Sequence, residues 1–331
     1  MNLNEARLIL EKSLTLDIPL MLWGPPGVGK SSLVAETAAK RKLPVRDLRL
    51  AQLDATDLRG LPVPDHGAKE LVWYPPAFLP REGKGVLFLD EIDKAPSLVK
   101  NAALQLVLDR RVGDYVLPPG WRVVAAGNRE EDDALSSALG SALANRMLHV
   151  EVEPDLDTWA AWAKENGVNG DMVSFLRFRP ELLCKNTGEP AFPTPRSWAA
   201  ASRLYSGQEP ATEKVKLVAS AVGQGAASEF SGWCRIYRAI EVKEILAGKL
   251  PALPPNDASV RYAVVLAVAS HISRHDIEDG AVPHLGSLLE AVTPELRVLM
   301  FKSLPPKLVS RLAAHPALRN MASKMVMAYV R

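Results

Sequence analysis

The sequence is short of cysteine: among 331 residues there are only two, Cys184 and Cys234. Two thiols at that separation make neither a disulfide scaffold nor a thiolate metal centre, and they suit a reducing compartment. It is also short of net charge. Forty Lys+Arg against 38 Asp+Glu leave +2, which gives no general pull toward nucleic acid or an anionic membrane, although a local basic patch stays open. Long hydrophobic runs are missing. The most apolar stretch, Tyr262–Ala269, falls far below the roughly 20 residues a bilayer span needs. The first residues, Met1–Glu5, lack a basic segment followed by an apolar one, so no secretory signal is expected and the protein reads as cytoplasmic. No repeat, low-complexity stretch, Ser-His-Asp set or Cys-His set stands out. His271 and His275 have i, i+4 spacing, but Ile272 stands where the zinc-protease helix motif needs Glu.

What is present is an ordinary globular mixture, 47% hydrophobic and 24% charged, at a length that favours two domains. In the first half, strand-like runs alternate with helical patterns. Ile18–Trp23 is apolar and ends in glycines, Lys30–Lys42 reads as a helix, and Val45–Leu50 alternates apolar with charged residues. Val86–Leu89 is apolar throughout, as in a strand buried on both faces. Pro96–Leu108 reads as a helix and Trp121–Ala126 as another buried strand. This order predicts an α/β fold with a doubly wound parallel sheet. After Pro154 the strand signals fade. Leu156–Asn166, Ser197–Tyr205, Glu213–Gly223, Ser231–Ala247, Ser259–Arg274 and Pro305–Val330 read as helices, broken by segments such as Pro251–Pro255. Trp159 and Trp162 read as a core-facing stripe. The expected division is a nucleotide-binding α/β domain over residues 1–153, a helical lid over 154–250 and a further helical region over 251–331.

Two motifs carry chemistry. Gly24-Pro-Pro-Gly-Val-Gly-Lys-Ser31 fits G-x-x-x-x-G-K-[ST] and lies between a buried strand and a helix, where a phosphate loop must lie. Gly24, Pro25, Pro26, Gly27, Val28 and Gly29 turn backbone N–H groups toward phosphate oxygens, and the helix start adds its positive dipole end. Lys30 is placed to reach the β- and γ-phosphates, Ser31 to put its hydroxyl on Mg²⁺, and Ser32 follows within the same motif. The second motif is Val86-Leu-Phe-Leu-Asp-Glu91, an apolar strand ending in two acids at the edge where parallel sheets bind ligands. Asp90 is placed to hold Mg²⁺, directly or through water, and Glu91 to orient the attacking water. ATP and Mg²⁺ are the cofactors these motifs call for.

With these motifs the sequence resembles the AAA+ ATPases, and within them the MoxR-like group of the helix-2-insert clade, over roughly residues 1–205. Leu53–Pro62 resembles the segment before that clade's inserted hairpin. Val123–Asn128 resembles the sensor-1 strand, Leu143–Arg146 the arginine-finger position, and Pro193–Arg196 the sensor-2 position. The resemblance implies that Asn128 contacts the γ-phosphate and the attacking water; a turn Asn in a Gly-Asn pair is the alternative. It implies that Arg196 links the lid to the γ-phosphate; a surface arginine at a helix start is the alternative. It also implies that Arg146 acts on a neighbouring subunit. The family's Asp and Phe beside that arginine are Asn145 and Met147 here, so Arg129 and the pair Arg110–Arg111 compete with it. Arg111–Pro118 also reads as a hairpin. The inserted hairpin, about residues 60–74, has strands Gly60–Pro64 and Leu71–Tyr74 around a polar tip, Asp65–Lys69. Trp73 and Tyr74 either meet a substrate or pack the hairpin base. The functional expectation is an ATPase in a homo-oligomeric, hexameric ring that remodels a partner protein, often one with a von Willebrand A domain in this family. A nucleic-acid motor and a nucleotide-dependent assembly switch are the alternatives. Glu130–Asp133 reads as a solvated loop.

Overall fold

In a computed structural model the protein is described over residues 1–67, 70–129, 131, 145–206, 208–254 and 256–319. The expected tip residues Ala68 and Lys69, the acids Glu130, Asp132 and Asp133, Leu143 and Ala144 before Arg146, Pro255, and residues 320–331, over most of which a helix is expected from sequence, lie outside these. The chain forms two compact units, residues 1–161 with 194–196 and residues 162–193 with 197–331.

The first unit is built on strands β1 (Leu20–Trp23), β2 (Val45–Arg49), β5 (Lys84–Asp90), β8 (Gly120–Gly127) and β9 (Leu148–Glu151). They make one sheet in the order β2-β5-β8-β1-β9, and every neighbouring pair is parallel. Two antiparallel hairpins stand outside it, β3 (Leu61–Asp65) with β4 (Glu70–Tyr74) and β6 (Arg111–Val112) with β7 (Tyr115–Val116). Alternation along the central strands sends side chains to two cores. Leu20, Leu22, Val86, Phe88, Val124 and Ala126 face helices α1 (Leu3–Leu16) and α2 (Lys30–Lys40). Met21, Leu87, Leu89, Val123 and Ala125 face α3 (Ala55–Arg59) and α4 (Ser97–Asp109). Each such buried aliphatic side chain contributes about 1.5–3 kcal/mol; Arg122, on the Val124 face near the start of β8, instead donates to the Leu14 carbonyl at the end of α1 (3.1 Å).

Helix α1 was not anticipated, yet it carries a local signature. The Asn2 side chain accepts the Asn4 and Glu5 N–H groups, and the Glu5 carboxylate accepts that of Asn2, a capping box. The edge strand β9 was also unread. Four residues with one buried side chain, Val150, give too little period to recognise.

The second unit is helical: α6 (Gly170–Phe178), the body of α7 (Pro195–Leu204), α8 (Ala211–Val222), α9 (Gln224–Arg238), α10 (Val242–Leu246), α11 (Ala258–His275), α12 (Val282–Ala291), α13 (Pro294–Lys302) and α14 (Pro306–Ala314). Between the units' helical portions the chain also makes α5 (Leu156–Glu165). Aromatic packing joins α6, α7 and α9: Phe175 lies 5.7 Å from Trp198 and 5.5 Å from Phe230, and Phe178 stacks on Trp233 at 4.8 Å, all between ring centroids. A second core of Val264, Val268, Leu285, Leu288, Leu296, Met300, Leu308 and Leu312 unites α11–α14. The single helix expected over Ser231–Ala247 is two, since the chain leaves the helix at Ala239 and restarts at Val242. The Trp159–Trp162 stripe is corrected as well. Trp159 is buried at 6%, but Trp162 is 38% exposed. The buried face runs through Trp159, Ala160 and Ala163, and at about 100° per residue Trp162 falls well to one side of it. Among the described residues no helix is long and apolar enough to cross a membrane.

Candidate functional site

The site lies at the carboxyl edge of the sheet, where β1 runs into the phosphate loop. Three glycines there have positive φ, Gly24 (150°), Gly27 (77°) and Gly29 (112°). Two of them are also sterically required. A Cβ on Gly24 would come within 2.3 Å of the Val152 carbonyl oxygen, and one on Gly27 within 2.8 Å of Thr194 Oγ1. The loop therefore folds tightly enough to turn its N–H groups inward. Lys30 opens α2 at 8% exposure. Its ammonium donates to the carbonyl oxygens of Gly24 (2.6 Å) and Pro25 (3.2 Å) and to Asn128 Oδ1 (2.9 Å). Asn128 comes directly after β8, so the strand order itself delivers this amide to the lysine.

The acidic strand end meets the loop from the other side. Ser31 Oγ donates to Asp90 Oδ2 at 2.9 Å, and the Glu91 N–H donates to Asp90 Oδ1 at 2.9 Å. Glu91 itself has φ 56°, a left-handed conformation that a non-glycine residue adopts at a cost. That backbone turns the chain sharply at the end of β5, and the Glu91 side chain stays half-buried. A hydroxyl and a carboxylate converging within hydrogen-bond distance are the hard oxygen donors that suit Mg²⁺, so the donor set fits the ion the sequence called for.

A third carboxylate, missed in the sequence, faces the pair. Asp47 on β2 has its pKa raised, first by burial and then by the charge of Asp90, with Glu91 adding to it and Arg49 opposing. Asp93 was missed too; it is fully buried in the turn after Glu91. Asp47 belongs to no motif, and Asp93 ends the acidic run Leu87–Asp93, of which only Asp90 and Glu91 were given roles. Only the parallel register of β2 on β5 and the turn at the end of β5 bring them to the site.

The arginines separate by environment. Arg196 is exposed, yet its Cβ lies 3.3 Å from where a Cβ on Gly27 would stand, so it flanks the phosphate loop. Arg110 is committed to structure: it donates to the carbonyls of Pro118 (3.1 Å) and Trp121 (2.7 Å) and pairs with Asp17. Arg111 begins β6 and is exposed. Arg129 pairs with Glu131 at 3.1 Å and Glu151 at 3.7 Å. Arg146 is exposed in the turn before β9. Because Leu148 registers with Leu20, Arg146 lies at the amino edge of the sheet, the edge opposite the phosphate loop of its own chain. The hairpin pairs Leu61–Asp65 with Glu70–Tyr74, Leu61 opposite Tyr74 and Asp65 opposite Glu70. Trp73 is half-buried and Tyr74 is 63% exposed. His271 and His275 lie with ring centroids 4.9 Å apart, and no group of three or more His, Cys, Asp or Glu able to hold a metal occurs among the described residues.

Residues 20–151, from the first residue of β1 to the last of β9, match the model of the ATPase family associated with various cellular activities (AAA). The chain is also similar to several solved structures. A variant of RuvB from Thermotoga maritima is 15% identical, with 85% of this chain and 87% of that one covered and a TM-score of 0.42. NtrX from Brucella abortus is 16% identical, covering 97% and 67%, TM-score 0.39. An ATPase from Cytophaga hutchinsonii, described as putative, is 14% identical, covering 98% and 88%, TM-score 0.36. Residues 20–151 thus carry the match to the AAA ATPase family on a P-loop AAA+ fold, and a helical C-terminal region follows.

Proposed function

We propose that the protein binds ATP with Mg²⁺ at the loop–strand site, hydrolyses it between subunits of a ring, and uses the turnover to remodel a partner protein in the manner of the MoxR-like group. The observation that carries the reading is the convergence of Lys30, Ser31, Asp90 and Asn128 from three separate segments onto one point. Lys30 and the loop amides bind the phosphates. Ser31 and Asp90 would hold Mg²⁺, which supplies charge neutralisation at the phosphates when bound. Glu91 orients the attacking water, Asn128 holds the lysine and the terminal phosphate in register, and Arg196 reads the phosphate from the loop's flank. Arg146 serves the neighbouring subunit; it is exposed and far from its own loop, whereas Arg110 and Arg129 are already engaged. The near-neutral charge of the chain speaks for a protein substrate over nucleic acid.

Glu91→Gln should keep ATP binding and lower turnover by about 10²–10⁴, the usual worth of a positioned base. Arg146→Ala should be comparably inactive, since an arginine supplied in trans is worth about 10³–10⁵. Mixing the two inactive variants should restore part of the activity at mixed interfaces. A mixture that stays inactive, with a monomer in light scattering, sinks the ring. DNA-stimulated turnover that weakens steeply with salt would move the substrate to nucleic acid.

The partner surface in this reading is the β3–β4 hairpin, whose Leu61, Val63, Leu71 and Tyr74 are all exposed. A His66→Ala, Leu71→Ser double variant should keep basal turnover and assembly while slowing work on whatever co-purifies with the Glu91→Gln trap. Unchanged remodelling would remove the hairpin as the working surface.

A further inference from the structure

Asp93 is a fully buried carboxylate three residues past Asp90, and the site as described makes no use of it. Its Oδ1 would stand 2.7 Å from a Cβ on Gly127, and its Cβ 3.1 Å away. Only glycine at 127 admits the carboxylate against the end of β8. The next residue is Asn128, which holds Lys30 at 2.9 Å. On the other side of Asp93, Lys100 in the first turns of α4 donates its ammonium to the Asp93 carbonyl at 2.7 Å. Burial lowers the Lys100 pKa, and the Asp93 charge opposes that. The turn that carries Glu91 is thus clamped from two directions, against the strand end that carries Asn128 and against α4.

The far end of α4 leads elsewhere. After Asp109 the chain passes through Arg110, in a left-handed conformation, into the β6–β7 hairpin. Asp114 in that hairpin's turn accepts the Trp73 N–H of β4 at 2.9 Å. The stretch of α4 from Lys100 to Asp109, about 14 Å of helix, therefore connects the catalytic turn with the base of the β3–β4 hairpin.

We propose that Asp93 and Lys100 are positioning residues that fix Glu91 relative to Asn128 and tie both to α4, so that the state of the nucleotide site and the state of the β3–β4 hairpin are coupled through one rigid helix. This rests on the reading of the site as an ATPase centre with Glu91 as its base. Neither residue need touch nucleotide. Their removal should misplace the water-orienting carboxylate while leaving the phosphate loop whole, and a displaced catalytic group costs rate, not affinity.

The test uses the full chain with Asp93→Asn, Lys100→Met and Lys100→Arg. Asp93→Asn keeps the volume, and Lys100→Met keeps the aliphatic stem. Both should lower kcat by about tenfold or more with KM for ATP and the affinity for ADP within about twofold. Lys100→Arg, which can still donate to the Asp93 carbonyl, should recover part of the rate. Gly127→Ala should be deleterious alone and less so on an Asp93→Ala background, because losing the carboxylate relieves the tightest of the contacts the new Cβ meets while Met21 Cε and the Cβ at position 93 remain. In a Glu91→Gln background, ATP should alter amide exchange in the 61–74 hairpin, and Lys100→Met should abolish that response without weakening ATP binding. The proposal is overturned if both variants turn over at the wild-type rate, if the Lys100→Met hairpin still responds to ATP, or if rate, ADP affinity and melting temperature fall together with no recovery in Lys100→Arg, which is mere structural damage. Wild-type protein that neither binds nor hydrolyses ATP would instead overturn the reading of the site itself.

Discussion

The two units each contain a cluster of polar side chains built from much the same groups, and the clusters differ in what they leave unspent. In the second unit, Asp171 Oδ2 accepts from Tyr205 Oη at 3.0 Å and from Arg238 at 2.9 Å, while Arg238 also donates to Tyr205 Oη at 2.7 Å. Cys234 Sγ lies 3.8 Å from the same hydroxyl, and the Lys214 ammonium sits 5.7 Å above the ring. Burial drives the Tyr205 pKa far up and pushes the Cys234 thiol up to about 11, so both stay protonated and unreactive. In the first unit, Asp90 accepts from Ser31 and from the Glu91 backbone, but Glu91 keeps its own carboxylate half-exposed on a left-handed backbone. A network that satisfies its members internally is scaffold. One that spends backbone strain to hold a carboxylate open is a place for a ligand.

The largest effect expected from that contrast is at Lys30. Lys30→Ala removes the charge-assisted hydrogen bonds to phosphate, about 1.5–3 kcal/mol, and should weaken ATP binding roughly 10–100-fold. The nucleotide-free protein should lose at most about 1–3 kcal/mol, the cost of leaving buried acceptors such as the Gly24 carbonyl short of a donor. A fluorescent-nucleotide titration beside a melting curve checks both halves. A large stability loss with intact binding would put Lys30 on the scaffold side of the comparison.

Tyr205→Phe asks the converse. The hydroxyl is 2% exposed with its ring, and deleting it leaves Asp171 and Arg238 each short of a partner. The expected loss is about 1–3 kcal/mol, read as a lower denaturant midpoint for the helical unit, with nucleotide affinity unchanged. Altered affinity at unaltered stability would show that the second cluster is not scaffold alone.

The same contrast explains which features were legible in the sequence. The phosphate loop and Asp90–Glu91 are contiguous motifs set on strands that are apolar because both faces are buried, so period and composition found them together. Asn128 came by resemblance, and the hairpin's two strands and polar tip came from local pattern without their register. Asp47, Asp93 and Lys100 came by neither route. Their importance comes from β2 lying on β5 and from α4 lying across the turn after Glu91, which no local period encodes. Arg196 could be placed only by resemblance; the packing of Thr194 on Gly27 that sets it beside the loop is a contact across more than 160 positions. In the helical unit, α6, α12 and α13 went unread. Their polar stops are weak, and α12 and α13 carry Pro at their first turns, which reads equally as a break or a beginning. The stop at Ala239–Glu241 has no Gly or Pro to announce it.

The smallest expected effect concerns Asp47, and it tests whether the first cluster is charged beyond what folding would choose. A carboxyl whose folded pKa is raised contributes stability that is fully present below its unfolded value, about 3.8, and is lost as pH rises through the folded value. At neutral pH, then, the ionised Asp47 beside Asp90 and Glu91 is a net cost, moderated by Arg49 and by solvent, because the residue is largely exposed. Asp47→Asn removes the charge and keeps the shape. The variant should melt slightly higher than wild type at pH 7–8, and the advantage should shrink as pH falls through the raised pKa of wild-type Asp47, where it takes up its proton. Raised salt should shrink it as well, since the repulsion is between partly exposed groups. A difference that is the same at every pH, or a variant that melts lower at pH 7, would mean that Asp47 is held by a favourable contact instead, and that the acidic edge of the sheet is stable scaffold and not a cluster kept in tension for a cation.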